Sequence, residues 1–193
     1  MKILDGTLLL ADISGYSNLL ERHGILHAQE VVTALLEAMI AEASDDFLLN
    51  KIEGDALLFY STGQDVERAV SFCHHMHRAF HRARARLERD HQNCENGFCP
   101  HIHTLAVKFL IHTGRFTVHF VYRRFEELLG KDVIIVHRLL KNSVPLTSYV
   151  LLTEPAWRTS EPAPMEREEV IEPFGTIRVR VYPLPVASQS GPG

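Results

Sequence analysis

Two aspartates stand where strands run out: Asp12, closing the apolar run TLLLADI, and Asp55, in the turn of FLLNKIEGDALLFYS. If the first strand lies beside that hairpin, both carboxylates project from one edge of a sheet, within reach of a common divalent ion. Mg²⁺ uses one or two protein carboxylates and completes its shell with water and substrate phosphates. Ile13, Ser14, Gly15 and Tyr16 then leave the strand through a glycine and enter a helix, where free backbone N–H groups can cradle phosphate oxygens. Together these features point to a nucleoside triphosphate. The plainer reading is that Asp12 and Ser14 cap the helix and Asp55 fills a turn. A second constellation, CENGFCPHIH, sets Cys94, Cys99, His101 and His103 within ten residues. That is a ligand set for tetrahedral Zn²⁺, although its spacing fits no standard finger.

The elements that must position these groups follow from hydrophobic period. TLLLADI is a continuous apolar run, expected as a central strand buried on both faces. Between Ala28 and Ala43, the residues Val32, Leu35, Leu36, Met39 and Ile40 recur at helical spacing. The segment around Glu53-Gly54-Asp55 reads as a β-hairpin. Asp65 to about Arg89 reads as a second long helix, with Cys73 on its apolar stripe, His77 and His81 at i, i+4, and an arginine-rich exposed face. LAVKFLIHTGRFTVHFVY is expected as two strands turning near Thr113-Gly114, and Asp132 to Asn142 as a helix. His101 and His103 are expected to alternate along the strand that opens this part. TSYVLLT and TIRVRVYPL supply the last strands. The order predicts an α+β fold, a ferredoxin-like, largely antiparallel sheet covered by helices.

The chain has 193 residues, 46% hydrophobic and 23% charged, with net charge -4. That suits one domain over residues 1–184, with an inserted Cys/His loop at about 90–103 and a disordered tail at 185–193. No basic excess marks a nucleic-acid partner, and no apolar run approaches the ~20 residues that cross a bilayer. A cytoplasmic protein without a signal peptide is the expectation, and three cysteines fit a reducing compartment.

At these residues the chain resembles the class III nucleotidyl cyclases. ADISGY matches the family's strand-end motif, with Asp12 and the Ile13 carbonyl as metal ligands; KIEGD matches its Lys-x-x-Gly-Asp hairpin, with Asp55 as the second metal aspartate and Lys51 as the adenine-contacting lysine. FLIHTG resembles the family's strand and turn, and ELLGKDVIIVHRLL its Asp-x-x-Gly-x-x-Val-Asn-x-x-x-Arg-Leu helix. The resemblance places Glu127 at the base-selecting position and Arg138 at the arginine that stabilises the transition state. Ile134 departs from it, standing where the family has a ribose-positioning asparagine, and it can form no hydrogen bond. The wording is closest to an uncharacterised bacterial branch. The resemblance implies a class III nucleotide cyclase-like fold, two Mg²⁺ or Mn²⁺ ions, formation of a 3′,5′-cyclic nucleotide and pyrophosphate from a nucleoside triphosphate with ATP favoured, and a head-to-tail homodimer whose site lies at the interface. The alternative is a degenerate cyclase-homology domain that binds a nucleotide or a protein partner without turnover.

Overall fold

In a computed structural model, which describes residues 2–90, 101–157 and 163–185, the chain builds an eight-stranded sheet. Strand β1 (Ile3–Ser14) pairs antiparallel with β3 (Ala56–Ser61) on one side and β4 (Ala106–Val121) on the other. Its side chains alternate between two cores: Leu9, Ala11 and Ile13 enter one, Leu8 and Leu10 the other. The unbroken apolar run is thus explained by burial on both faces. Strand β2 (Leu48–Glu53) completes the hairpin with β3.

The first core lies under three helices: α1 (Tyr16–His23), α2 (Ile25–Ile40) and α3 (Val66–Asp90). The helical stripe of α2 is as expected, but the helix starts earlier and ends at Ile40, and α1 precedes it. The second core is covered by α4 (Lys131–Arg138) and by β7 (Met165–Ile171) and β8 (Gly175–Pro183). Strand β6 (Tyr149–Thr153) joins the two parts, pairing parallel with β4 and antiparallel with β8. The full order is β2-β3-β1-β4-β6-β8-β7, with β5 (Phe125–Leu129) paired to the far end of β4. The first four strands and their helices are the ferredoxin-like unit.

One expectation fails in an informative way. The segment read as two strands is a single 16-residue strand, and Gly114 lies inside it, paired with Gly6. Its glycine answers a packing demand: a Cβ at Gly114 would overlap the Asp132 carboxyl and come 2.6 Å from Asp132 Cβ. The hairpin turn comes at Tyr122 and Arg123, both with positive φ. Strands β5 and β7 escaped the sequence reading because FEELL and MEREEVI carry too many acids to look apolar. In β7 those acids face arginines, as in the Arg180–Glu166 ion pair at 2.8 Å. His101 and His103 are not strand residues but belong to a short 3₁₀ turn in which Ile102 is buried.

Candidate active site

The β2–β3 hairpin sets Asp55 beside the end of β1, where the Ile13 N–H donates to the Asp55 carbonyl at 3.2 Å. Asp12 pairs across the ladder with Ala56 on β3 and Lys108 on β4. By strand alternation it shares the α4 side of the sheet with Leu8 and Leu10. Lys108 Nζ lies 3.1 Å from Asp12 Oδ2 and donates to the Leu140 carbonyl at 3.0 Å. The Asp55 carboxyl is pushed above its ordinary value, first by burial and then by the charge of Asp12. Lys108 thus pairs with Asp12, and its charge also acts on Asp55. An all-oxygen set of two carboxylates and the Ile13 carbonyl suits a hard ion such as Mg²⁺ or Mn²⁺. Sequence reasoning missed Lys108; its signal was a lone lysine inside an apolar strand.

Gly15 makes the turn from β1 into α1 with φ +96, a left-handed conformation that costs other residues a steric penalty. No side chain caps α1, so the capping role weighed for Asp12 and Ser14 is not realised. Ser14 ends β1, paired with Ala106, and Tyr16 opens the helix while packing against the first core.

A second group gathers where β2 meets β5. Lys51 of β2 forms an ion pair with Glu127 of β5, and Asn50 Nδ2 donates to Glu126 Oε1 at 3.2 Å. A donor and an acceptor thus sit side by side. Arg138, at the end of α4, donates to the Glu172 carbonyl and so makes no ion pair with Glu126 or Glu127. With Ile134, His137 and Lys141 it lines a cleft of about 670 Å³ against Glu169, Val170 and Glu172. Ile134 is 45% exposed there, offering only methyl groups.

The helix carrying Arg138 is pinned at its start. Asp132, in the first turn of α4, accepts from the Arg115 N–H at 2.6 Å and contacts His112 Nε2 at 3.1 Å. The His112 contact, ahead of the backbone bond, holds the Asp132 carboxyl below the ordinary range despite its partial burial. His112 is itself buried, with Nδ1 2.7 Å from Thr153 Oγ1. These contacts give His112 a structural role, tying β4 to β6 and to the start of α4.

Cys94 and Cys99 fall outside the described residues; His101 Nε2 lies 3.5 Å from Arg22 Nη1 and His103 is exposed. Among the described residues no group of three or more histidine, cysteine, aspartate or glutamate side chains is placed to hold a metal ion. Cys73 is buried in the first core. A second cavity, about 340 Å³, opens on the α3 side between Val70 and His74 of that helix and Trp157, Arg180 and Tyr182. No described helix is long and apolar enough to cross a membrane.

A family model described as protein of unknown function (DUF2652) matches residues 32–149. A curated relative, the uncharacterized protein Rv2561/Rv2562 of Mycobacterium tuberculosis (strain ATCC 25618 / H37Rv), is 37% identical over 123 residues, or 62% of this chain and 56% of that protein. The match thus spans little more than half of the relative's length. Among solved structures, the adenylyl cyclase CyaB from P. aeruginosa superposes with a TM-score of 0.71 at 18% identity, covering 100% of this chain and 98% of that one. The guanylyl cyclase Cya2 gives 0.70 at 16% identity, with 94% and 92% covered. A dimeric guanylyl cyclase domain of the RhoGC fusion protein from the fungus Blastocladiella emersonii gives 0.65 at 14% identity, with 94% and 98% covered. At such identities these likenesses show the fold alone.

Proposed function

The chain belongs to the DUF2652 family of proteins of unknown function and has the fold of the class III adenylyl and guanylyl cyclase domains; from that premise we propose that it is a two-metal nucleotidyl cyclase acting on a purine nucleoside triphosphate, ATP before GTP. The observation that carries this reading is the meeting of Asp12, Asp55 and Lys108 at one end of the sheet, more negative charge than one ammonium answers. Mg²⁺ or Mn²⁺ held by Asp12, Asp55 and the Ile13 carbonyl would acidify the ribose 3′-hydroxyl and neutralise the triphosphate.

The chain's own groups do the rest. In the reaction the 3′-oxygen loses its proton and bonds to the α-phosphorus, and the bond to the β-phosphate oxygen breaks, releasing pyrophosphate. Lys108, paired with Asp12, would place its ammonium beside the bound triphosphate, and N–H groups at the start of α1 would add donors there. Arg138 supplies a guanidinium for charge developing on the α-phosphate. Lys51 and Glu127 present one donor and one acceptor to the base edge, with Lys51 favouring adenine by the resemblance already noted. Metal-binding and base-reading groups then come from opposite subunits of a head-to-tail homodimer. Support for that assembly comes from exposed apolar side chains: Ile52 on the hairpin, Phe120 and Phe125 on the β4–β5 arm, Ile134 on α4 and Val170 on β7.

Ile134 favours a second reading, a domain that binds nucleotide without turnover, because loss of one oriented polar group in such a site costs roughly 10²-fold or more in rate. The test is to incubate the protein with Mn²⁺ and each of ATP, GTP, CTP and UTP and to detect cyclic product by mass spectrometry. A purine cyclic product that disappears in Asp55→Ala is the expected result. Saturable nucleotide binding with no product from any of the four would select the second reading.

A further inference from the structure

The imidazole of His137 lies in the last turn of α4, next to Arg138, and its two nitrogens face different acceptors. Nδ1 is 2.7 Å from the Val133 carbonyl of its own helix. A carbonyl oxygen only accepts, so Nδ1 carries a hydrogen. Nε2 is 3.3 Å from Glu53 Oε2 on the β2–β3 hairpin. In a neutral ring protonated at Nδ1, Nε2 is a lone pair, and it would meet a carboxylate that also only accepts. In an imidazolium, Nε2 is a donor to that carboxylate, assisted by charge. The contact is therefore a bond in one protonation state and a repulsion in the other. Both partners are reachable by water, with side chains 29% and 44% exposed.

Neighbouring charges leave Glu53 as the ring's carboxylate partner. On β1 and β4, Asp12 and Lys108 are paired with each other. On the second core's side, Glu169 accepts from the Ser143 hydroxyl at 2.7 Å, and it is the backbone carbonyl of Glu172 that Arg138 engages. Lys141 lines the same cleft from beyond the helix, and Asp55 lies two residues past Glu53 on the hairpin.

We propose that His137 is a proton-operated positioning residue. Protonated, it ties α4, and with it Arg138, to the hairpin that carries Lys51 and Asp55; deprotonated, it releases them. α4 is then fastened permanently at its start by Asp132 and conditionally at its end by His137. The consequence for catalysis rests on the cyclase reading, but the clamp itself does not.

The test uses the full chain in metal-free buffer with a chelator and without nucleotide. Ring ¹⁵N shifts of His137 and hydrogen-exchange protection of residues 131–138 are followed from pH 5.5 to 8, with protection expressed relative to amides of β1. Protection of α4 is expected to fall about two- to fivefold as the ring loses its proton, the yield of a half-exposed ion pair. At pH 8 the remaining hydrogen is expected on Nδ1. Glu53→Gln supplies an amide donor that the neutral ring can accept, so α4 should stay protected across the range. Glu53→Ala should show the low protection at every pH. A hydrogen on Nε2 in place of Nδ1 at pH 8, or an unchanged pH dependence in Glu53→Gln, would overturn the proposal. In the activity arm, kcat should fall as the ring loses its proton in the natural chain and not in Glu53→Gln, with KM little changed. Absence of product from both would count against the cyclase reading, while the exchange data would still decide the clamp.

Discussion

Lys108 shows how one side chain can serve two purposes at the scale of a residue. Its ammonium balances part of the charge of Asp12 and Asp55, and it would compete with a cation bound there. Lys108→Met should therefore tighten Mn²⁺ binding several-fold in calorimetry without nucleotide, by removal of a like charge a few ångströms away. The same variant should weaken triphosphate binding. The paired histidines of α3 make a different statement. His77 and His81 face each other with Nε2 atoms 2.9 Å apart, and burial, with nearby positive charge, pushes both down to about 4. A histidine depressed in the folded state binds its proton more readily when unfolded. Its stabilising effect is complete above about 6.5, is lost as pH falls from there to about 4, and is gone below. Thermal melts should show a midpoint several degrees lower at pH 5 than at pH 7.5, and His81→Leu should flatten that difference.

Elements were legible in the sequence where burial was one-sided or complete. The two-faced β1, the stripe of α2 and the long α3 follow directly from period, and the turn at Gly54-Asp55 from residue type. What the sequence hid were elements whose logic lies in their neighbours. FEELL is a strand because β4 offers it an edge, and Gly114 is a glycine because Asp132 occupies the space beside it. A turn signal and a packing signal look alike in a single chain. Gly114→Ala tests the distinction: were the glycine needed for its backbone alone, the ordinary strand geometry there would tolerate alanine. We expect instead a loss of about 2 kcal/mol in urea unfolding, because the methyl must push the Asp132 carboxyl off the Arg115 N–H.

For the whole molecule, the cyclase reading divides the candidate site into a metal-binding part on Asp12 and Asp55 and a base-reading part on Lys51 and Glu127. Motif spacing nominates the residues of both parts, Asp12 and Asp55 most directly. Their partners, Lys108 for Asp12 and Glu127 for Lys51, depended on which strands become neighbours. If two chains complete each other's sites head to tail, Asp55→Ala and Arg138→Ala should each be inactive alone. Mixed and allowed to exchange subunits, they should regain about a quarter of the natural activity, because half of the dimers then hold one intact site of two. Activity that stays absent on mixing, with exchange shown by mass spectrometry, would place the whole site within one chain.

Trp157 is the sole tryptophan of the chain. Its indole N–H donates to the Leu152 carbonyl at 3.2 Å, and Arg180 and Arg178 lie 4.1 and 5.3 Å from its ring centroid. It packs on the α3 side of the sheet, whereas Asp12 faces the α4 side. The protein thus carries one indole, on the face of the sheet opposite to Asp12. Its emission follows the integrity of the β6–β8 end of the sheet, so a titration with nucleotide that leaves the spectrum still while product accumulates would mean that turnover does not disturb that end.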